Sequence, residues 1–208
     1  MPAPGMLAED GVDLSLFSPR NLGRFQSLPH RPLVIGWAGN SKWSSERGED
    51  FKGLYTVLMP AVHQLQQEGL NIRVELADRQ QRHIPHEEMP EYYSQLDLYV
   101  CVSQMEGTPN PVLEALACGV PVISTRVGVV PQIFPNNPFG VVLPERSVAA
   151  LKHRIRRYYE EGPHMIRRLS EHGLDKIRHW GWAGKADNFR RFFTQQIERP
   201  DDRRAFDV

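Results

Sequence analysis

Glu106 and Glu114 are separated by seven residues in the stretch EGTPNPVLEALACGVP. Two carboxylates at that separation can serve one site if the chain between them turns and then becomes helical. The intervening residues favour this. Gly107 suits a turn, Asn110 is a good N-cap, and Pro111 is a good first helical residue. The helix is expected to run to about Cys118 and to stop at Gly119. Val112, Leu113, Leu116 and Ala117 form its apolar face, and Glu114 lies off that face, in or next to the first turn. The expected arrangement places Glu106 and Glu114 at one mouth, with the free N–H groups of Val112 and Leu113 pointing into the same space. A helix N-terminus attracts anions, phosphate above all. Glutamates beside a phosphate would repel it unless they bind something else, and sugar hydroxyls are the obvious partner. The plainer reading of either glutamate is a surface carboxylate stabilising a helix dipole.

The elements that must hold these residues alternate between strand and helix. Leu33 to Ala38 is a short apolar run ending beside a glycine, a good first parallel strand. The polar loop after it contains neither a dinucleotide fingerprint nor a P-loop. A helix is expected from about Leu54 to Glu68, a strand over Ile72 to Ala77, and a polar, proline-punctuated loop over Asp78 to Pro90. A short helix follows, about Glu87 to Gln95. Leu98 to Val102 is almost continuously apolar, hence a central strand. After the helix that carries Glu114 come strands at Pro121 to Ser124 and Phe139 to Leu143. Two basic amphipathic helices then span about Val148 to Glu160 and Met165 to His179. A last helix starts near Ala183. The pattern implies an α/β fold, a Rossmann-like parallel sheet with helices on both faces. Ligands in such sheets bind at the carboxyl ends of the strands.

Composition sets few constraints. The 208 residues carry 25 basic and 25 acidic side chains, so net charge points neither to nor away from nucleic acid. The two cysteines, Cys101 and Cys118, sit in apolar surroundings and read as buried thiols of a reducing compartment. No stretch approaches the ~20 apolar residues of a membrane span. No signal peptide is visible at the N-terminus. A cytoplasmic domain is expected, with peripheral contact at the inner membrane face as an option. His83 and His86 lack the companions a metal site needs, and no metal is expected.

EGTPNPVLEALACGVPVIST closely resembles the E-x7-E segment of retaining GT-B glycosyltransferases, family four (group 1) in particular. GVDLSLFSP at Gly11 to Pro19 resembles that family's interdomain linker. The resemblance implies a single GT-B half-domain, the C-terminal donor-binding one. Residues 1–31 would be a linker-like arm, 32–180 the nucleotide-sugar-binding domain, and 181–208 a C-terminal helical arm and tail. The acceptor-binding domain that precedes the linker in the family would then be missing, or supplied by a separate chain.

The resemblance also implies roles. The partner is a nucleotide sugar, and retaining transfer of a hexose-type sugar to a glycan or lipid-linked acceptor needs no metal. Glu106 would hold the transferred sugar and Glu114 the ribose hydroxyls. Backbone groups of Gly107, Thr108, Pro109 and Asn110 would lie against sugar and phosphate, with the Val112 and Leu113 amides at the helix tip. Lys52 occupies the family's Lys-Gly position and would act catalytically on the diphosphate. The family's arginine position, just after Gly39, is Asn40 here. Lys42 is the candidate replacement, although lysine supplies a point charge where arginine supplies a fork. The base would rest near His83 and Ile84.

Other readings stand beside this one. The Asn40 departure suggests a non-catalytic module that binds a nucleotide sugar and acts through a partner chain. A glycoside hydrolase would use two carboxylates but has no need of an anion site, and a sugar-nucleotide epimerase is a more distant option. The basic helices could contact an anionic membrane surface; a solvated helix face is the preferred reading.

Overall fold

The computed structural model describes residues 9–28, 30–42 and 49–197. The start of the N-terminal arm, residues 43–48 of the polar loop after the first strand, and the C-terminal tail lie outside the described residues.

Four strands, β1 (Leu33–Gly39), β2 (Ile72–Asp78), β3 (Leu98–Cys101) and β4 (Val122–Ser124), form one sheet in the order β2-β1-β3-β4. Every pairing is parallel. Successive strand residues face opposite sides of a sheet. All four residues of β3 are buried, so both faces of the sheet are covered, as its unbroken apolar run implied. Alternation of strand and helix produced the expected Rossmann-like α/β fold. The fifth strand, expected over Phe139 to Leu143, is reduced to one bridge between Ser124 and Val142. β4 is only three residues long and offers no more ladder. The outward N–H and C=O of Val142 are satisfied instead by the Asn137 side chain, at 2.9 and 2.8 Å.

The helix expected from Leu54 begins as a π-turn, Leu54–Leu58, and becomes α1 (Met59–Gln67). Asp50 causes this start. Its carboxylate accepts from the amides of Gly53, Tyr55 and Thr56 at 2.7–2.8 Å, and the Leu58 amide reaches back to the Gly53 carbonyl. Gly53 has φ 71°, and a Cβ there would lie 2.4 Å from the Val102 carbonyl oxygen. Only glycine allows this helix to start against the end of β3.

α2 (Met89–Ser94), α3 (Asn110–Ala117) and the short α4 (Val130–Ile133) follow their strands. α5 (Val148–Ile177) packs on α1 and α3. It is broken at Gly162, φ 71° and ψ −158°, next to Pro163, which separates the two basic helices read from the sequence. Their cations are largely committed within the fold. Lys152 and Arg156 meet Glu68, Arg154 donates to the Phe139 carbonyl, Arg157 pairs with Glu161 and Arg178 with Asp175. No helix among the described residues is long and apolar enough to cross a membrane. Cys101 and Cys118 are both buried and unpaired, and burial pushes the Cys118 thiol up to about 12.

The described part of the N-terminal arm is packed, not extended. Val12, Phe17, Phe25 and Leu28 are buried in the core. Val12 bridges Gly181 at the start of α6 (Trp182–Ile197), so the described part of the arm is tied to the start of the last helix. The turn Leu22–Ser27 leads to a buried ionic knot. Asp97, fully buried, accepts from both Nη atoms of Arg31 at 2.5 and 2.7 Å and from the Val34 amide at 2.9 Å. Arg24 Nε lies 3.8 Å away. Removing the carboxylate would leave the Arg24 and Arg31 guanidinium groups without their shared counter-charge and the Val34 amide without its acceptor. Asp97→Ala should therefore cost about 3 kcal/mol or more, read from urea unfolding; a loss below roughly 1 kcal/mol would show that the knot is not a net anchor.

Candidate functional site

The loops after β1, β2 and β3 leave the same edge of the sheet, because the strands are parallel. They enclose a cleft of about 540 Å³, within the usual range for small-molecule sites. Glu106, Glu114 and Lys52 all line it, as do Gly39, Asn40, His83, Ile84, Thr108, Pro109, Asn110 and Val112. The two glutamates thus share one cavity.

Lys52 and Glu106 reach each other from different loops, with Nζ donating to Oε1 at 2.6 Å. Lys52 is set by the turn that ends in Gly53. Arg146 braces that turn, donating to the Asp50 and Val102 carbonyls at 2.6 and 2.8 Å, and so fixes the β1 loop to the end of β3. On the other side of Glu106, the loop carbonyl of Gly107 is packed against Gly128, φ 48°. A Cβ on Gly128 would sit 1.9 Å from that oxygen. The Thr108 hydroxyl accepts from the Asp10 amide at 3.3 Å, so the N-terminal arm also touches the rim.

Glu114 projects from α3. Its Oε2 accepts from the Tyr93 hydroxyl at 2.7 Å, and Oε1 lies 3.9 Å from His86 Nδ1. Burial raises the Glu114 pKa above the ordinary carboxylate range, with the Tyr93 bond and His86 opposing it. Tyr93 is itself locked by edge-on contacts to Phe17, Tyr92 and Tyr99 at 5.3–6.2 Å between ring centroids. Burial holds its own hydroxyl protonated, well above the usual phenol value, so it remains a donor to Glu114.

Several expectations are corrected. Asn110 is the first residue of α3 and Pro109 is its cap, with no side-chain capping bond. The Asn110 amide donates to the Thr108 carbonyl at 2.9 Å. The amides of Val112 and Leu113 both turn to the Pro109 carbonyl, at 2.8 and 3.4 Å. They are not free donors: with proline on both sides of Asn110, the helix starts early and the Pro109 oxygen closes its first turn. The Leu113 side chain is fully buried in the core and does not line the cleft. Gly107 supports the rim without lining it. Lys42 is exposed and off the cleft wall. Its amide donates to Asn40 Oδ1 at 3.0 Å, which also accepts from Gln80 Nε2 at 2.8 Å.

Other lining residues were not anticipated. Arg79, Arg82 and His86 come from the loop after β2; their signal was position alone, a polar segment at the carboxyl end of a strand. Tyr93 holds Glu114 from a helix 21 positions away, and nothing in the sequence links the two. The assembled cleft offers paired acceptors and several cations, suited to a ligand with both hydroxyls and negative charge.

The pH dependence follows from Glu114. Its folded pKa is raised, so the folded chain holds the proton more tightly than the unfolded chain. The resulting contribution to stability is full below the unfolded value, near 4.5, and is lost as pH rises through the folded value. Thermal melts from pH 4 upward should show the wild type losing stability relative to Glu114→Gln across that window. Parallel curves would show that burial of this carboxylate is not felt.

Comparison with known proteins bears on the same geometry. Residues 60–175 match the family described as glycosyl transferases group 1, more than half of the chain. A D-inositol 3-phosphate glycosyltransferase of Catenulispora acidiphila is 25% identical over 221 aligned positions, covering 90% of this chain and 51% of that protein. The chain spans about half the length of the curated relatives that match it most fully. The C-terminal domain of a group 1 glycosyl transferase, LpcC of Francisella tularensis, superposes with a TM-score of 0.58 at 20% identity, covering 81% of this chain and 97% of that one. Anabaena HepE, solved in complex with UDP, gives a TM-score of 0.64 at 14% identity over 89% of this chain and 56% of its own. At such identities the structural likeness speaks for the GT-B-type fold, while the family match spans the helix that carries Glu114 and the strands on either side of it. The chain belongs to the group 1 glycosyl transferases.

Proposed function

We propose that the chain is the donor-binding domain of a retaining, family-four glycosyltransferase, which moves a hexose-type sugar from a nucleotide sugar to a glycan or lipid-linked acceptor of cell-surface polysaccharide synthesis. Residues 32–180 form the donor domain in this reading, and the acceptor-binding domain lies elsewhere in a longer protein or in a partner chain. One observation carries the proposal: Glu106, Glu114 and Lys52, from three different segments, open into one cleft at the carboxyl ends of a parallel sheet. HepE, of the same fold, was solved with UDP and with UDP-glucose, which supports a nucleotide sugar as the ligand class.

In this assignment Glu114, held by Tyr93, accepts from the ribose hydroxyls. Glu106 accepts from the transferred sugar. Departure of the nucleoside diphosphate builds negative charge on phosphate oxygens, and catalysis needs positive groups aimed there. Lys52, which lines the same cleft, supplies that charge in this assignment and is held by Glu106, the carboxylate assigned to the sugar. A single ammonium thus links the two halves of the donor. No metal has a role in this scheme.

A second reading, a nucleotide-sugar-binding module without catalysis, is favoured by Asn40 where the family carries arginine. Under the main proposal Glu114→Ala and Lys52→Ala should each weaken binding of a nucleoside diphosphate by about tenfold, the loss of one charge-assisted contact. Calorimetry that finds unchanged affinity in a folded Glu114→Ala variant removes the ribose assignment. The purified 208 residues should transfer little sugar by themselves; robust turnover would overturn the need for a second domain.

A further inference from the structure

The cleft's cations are unevenly committed. A nucleoside diphosphate brings two or more negative charges. Lys52 is bonded to Glu106, Asn40 is neutral, and Lys42 stands off the wall. Two guanidinium groups remain on the lining, those of Arg79 and Arg82. Among the described residues neither side chain makes a hydrogen bond or ion pair, and both are exposed at the cleft edge.

The backbone beneath them is held firmly. Arg79 immediately follows β2, and its amide donates to the Gly39 carbonyl at 2.9 Å. It is therefore the direct neighbour, across the sheet, of the end of β1. Asp78 is fully buried. Its Oδ1 accepts from the Ser41 and Gln80 amides at 3.0 and 3.2 Å, and its carbonyl accepts from the Gln81 and Arg82 amides at 2.9 and 2.8 Å. Gln80 closes the arrangement by donating to Asn40 Oδ1 at 2.8 Å. The bonds to Gly39, Ser41 and Asn40 tie the loop bearing the arginines to the end of β1 and its loop, and the others order the arginine loop internally. Folding has thus already ordered the main chain at both positions, and ligand binding need only order two side chains.

We infer that Arg79 and Arg82 bind the donor's diphosphate, supplying from the loop after β2 the guanidinium charge that the loop after β1 lacks at Asn40. The inference rests on the proposed donor site. Guanidinium forks match phosphate oxygens in pairs and keep their charge at any working pH. With these two cations on the lining, the diphosphate need not displace Glu106 from Lys52.

The test is calorimetry on the full chain with UDP, GDP and ADP and with the matching nucleosides, for the wild type and for Arg79→Gln/Arg82→Gln. Both side chains are exposed and make no hydrogen bond or ion pair among the described residues, so the double variant should melt with the wild type. Its affinity for the best-bound diphosphate should fall about tenfold or more, its affinity for the nucleoside should hold within twofold, and the salt dependence of diphosphate binding should flatten. Diphosphate affinity unchanged by the double substitution, or a nucleoside loss as large as the diphosphate loss, overturns this inference alone. A wild-type chain that binds none of the three diphosphates overturns the donor site itself.

Discussion

Parallel pairing of the strands is the constraint on which everything else depends. It sends every carboxyl end to one edge, so the loops after β1, β2 and β3 have no choice but to meet. The cost of such a sheet is that both faces must be covered, and the long α5, α1 and α3 do this with apolar sides while leaving the edge open. The cleft is therefore a by-product of topology, and its chemistry is decided by which residues the loops carry. Here the loops carry one carboxylate, one lysine and two arginines, and α3 adds the second carboxylate.

A shared cavity brings acidic and basic groups close enough to require internal bookkeeping of charge. Glu106 is neutralised by Lys52. Glu114 has no such cation in contact, only a phenol and a distant imidazole, so its charge is disfavoured by burial. The asymmetry suits a ligand with two ends. Glu106 lies beside the lysine, and the more enclosed Glu114 lies against an aromatic cluster. The same cluster ties the site to the N-terminal arm through Phe17, and the arm returns to the rim at Asp10. The cleft wall is thus in contact with a segment far away in the chain.

Glycine positions show how local rules serve this arrangement. Gly53 lets a helix begin against the β3 end, which places Lys52. Gly128 lets a second loop press on Gly107, which steadies Glu106. At each of these two places a side chain would collide with a carbonyl oxygen on which the site depends.

Much of this was legible in the residues. Apolar runs marked β1 and β3, Pro111 and Gly119 marked the two ends of the helix between β3 and β4, and the glutamate spacing marked the site. These signals are local: they depend on periodicity, on capping chemistry and on one short motif. The helix tip was misjudged because the direction of the Pro109 carbonyl is a matter of backbone geometry, which residue types at Asn110 and Pro111 do not decide. The fifth strand was overestimated because a strand needs a partner long enough to pair with, and β4 is not. Arg79 and Arg82 could not be assigned to the cleft, nor Tyr93 to Glu114, from the sequence, since each placement depends on residues from another strand or helix. The order of amino acids determined which elements form and where the two glutamates sit along the chain. Only tertiary folding decided that Tyr93 would hold Glu114, that Lys52 would meet Glu106, and that two arginines would stand beside Asn40, because those distances are set by packing between elements and not by separation along the chain.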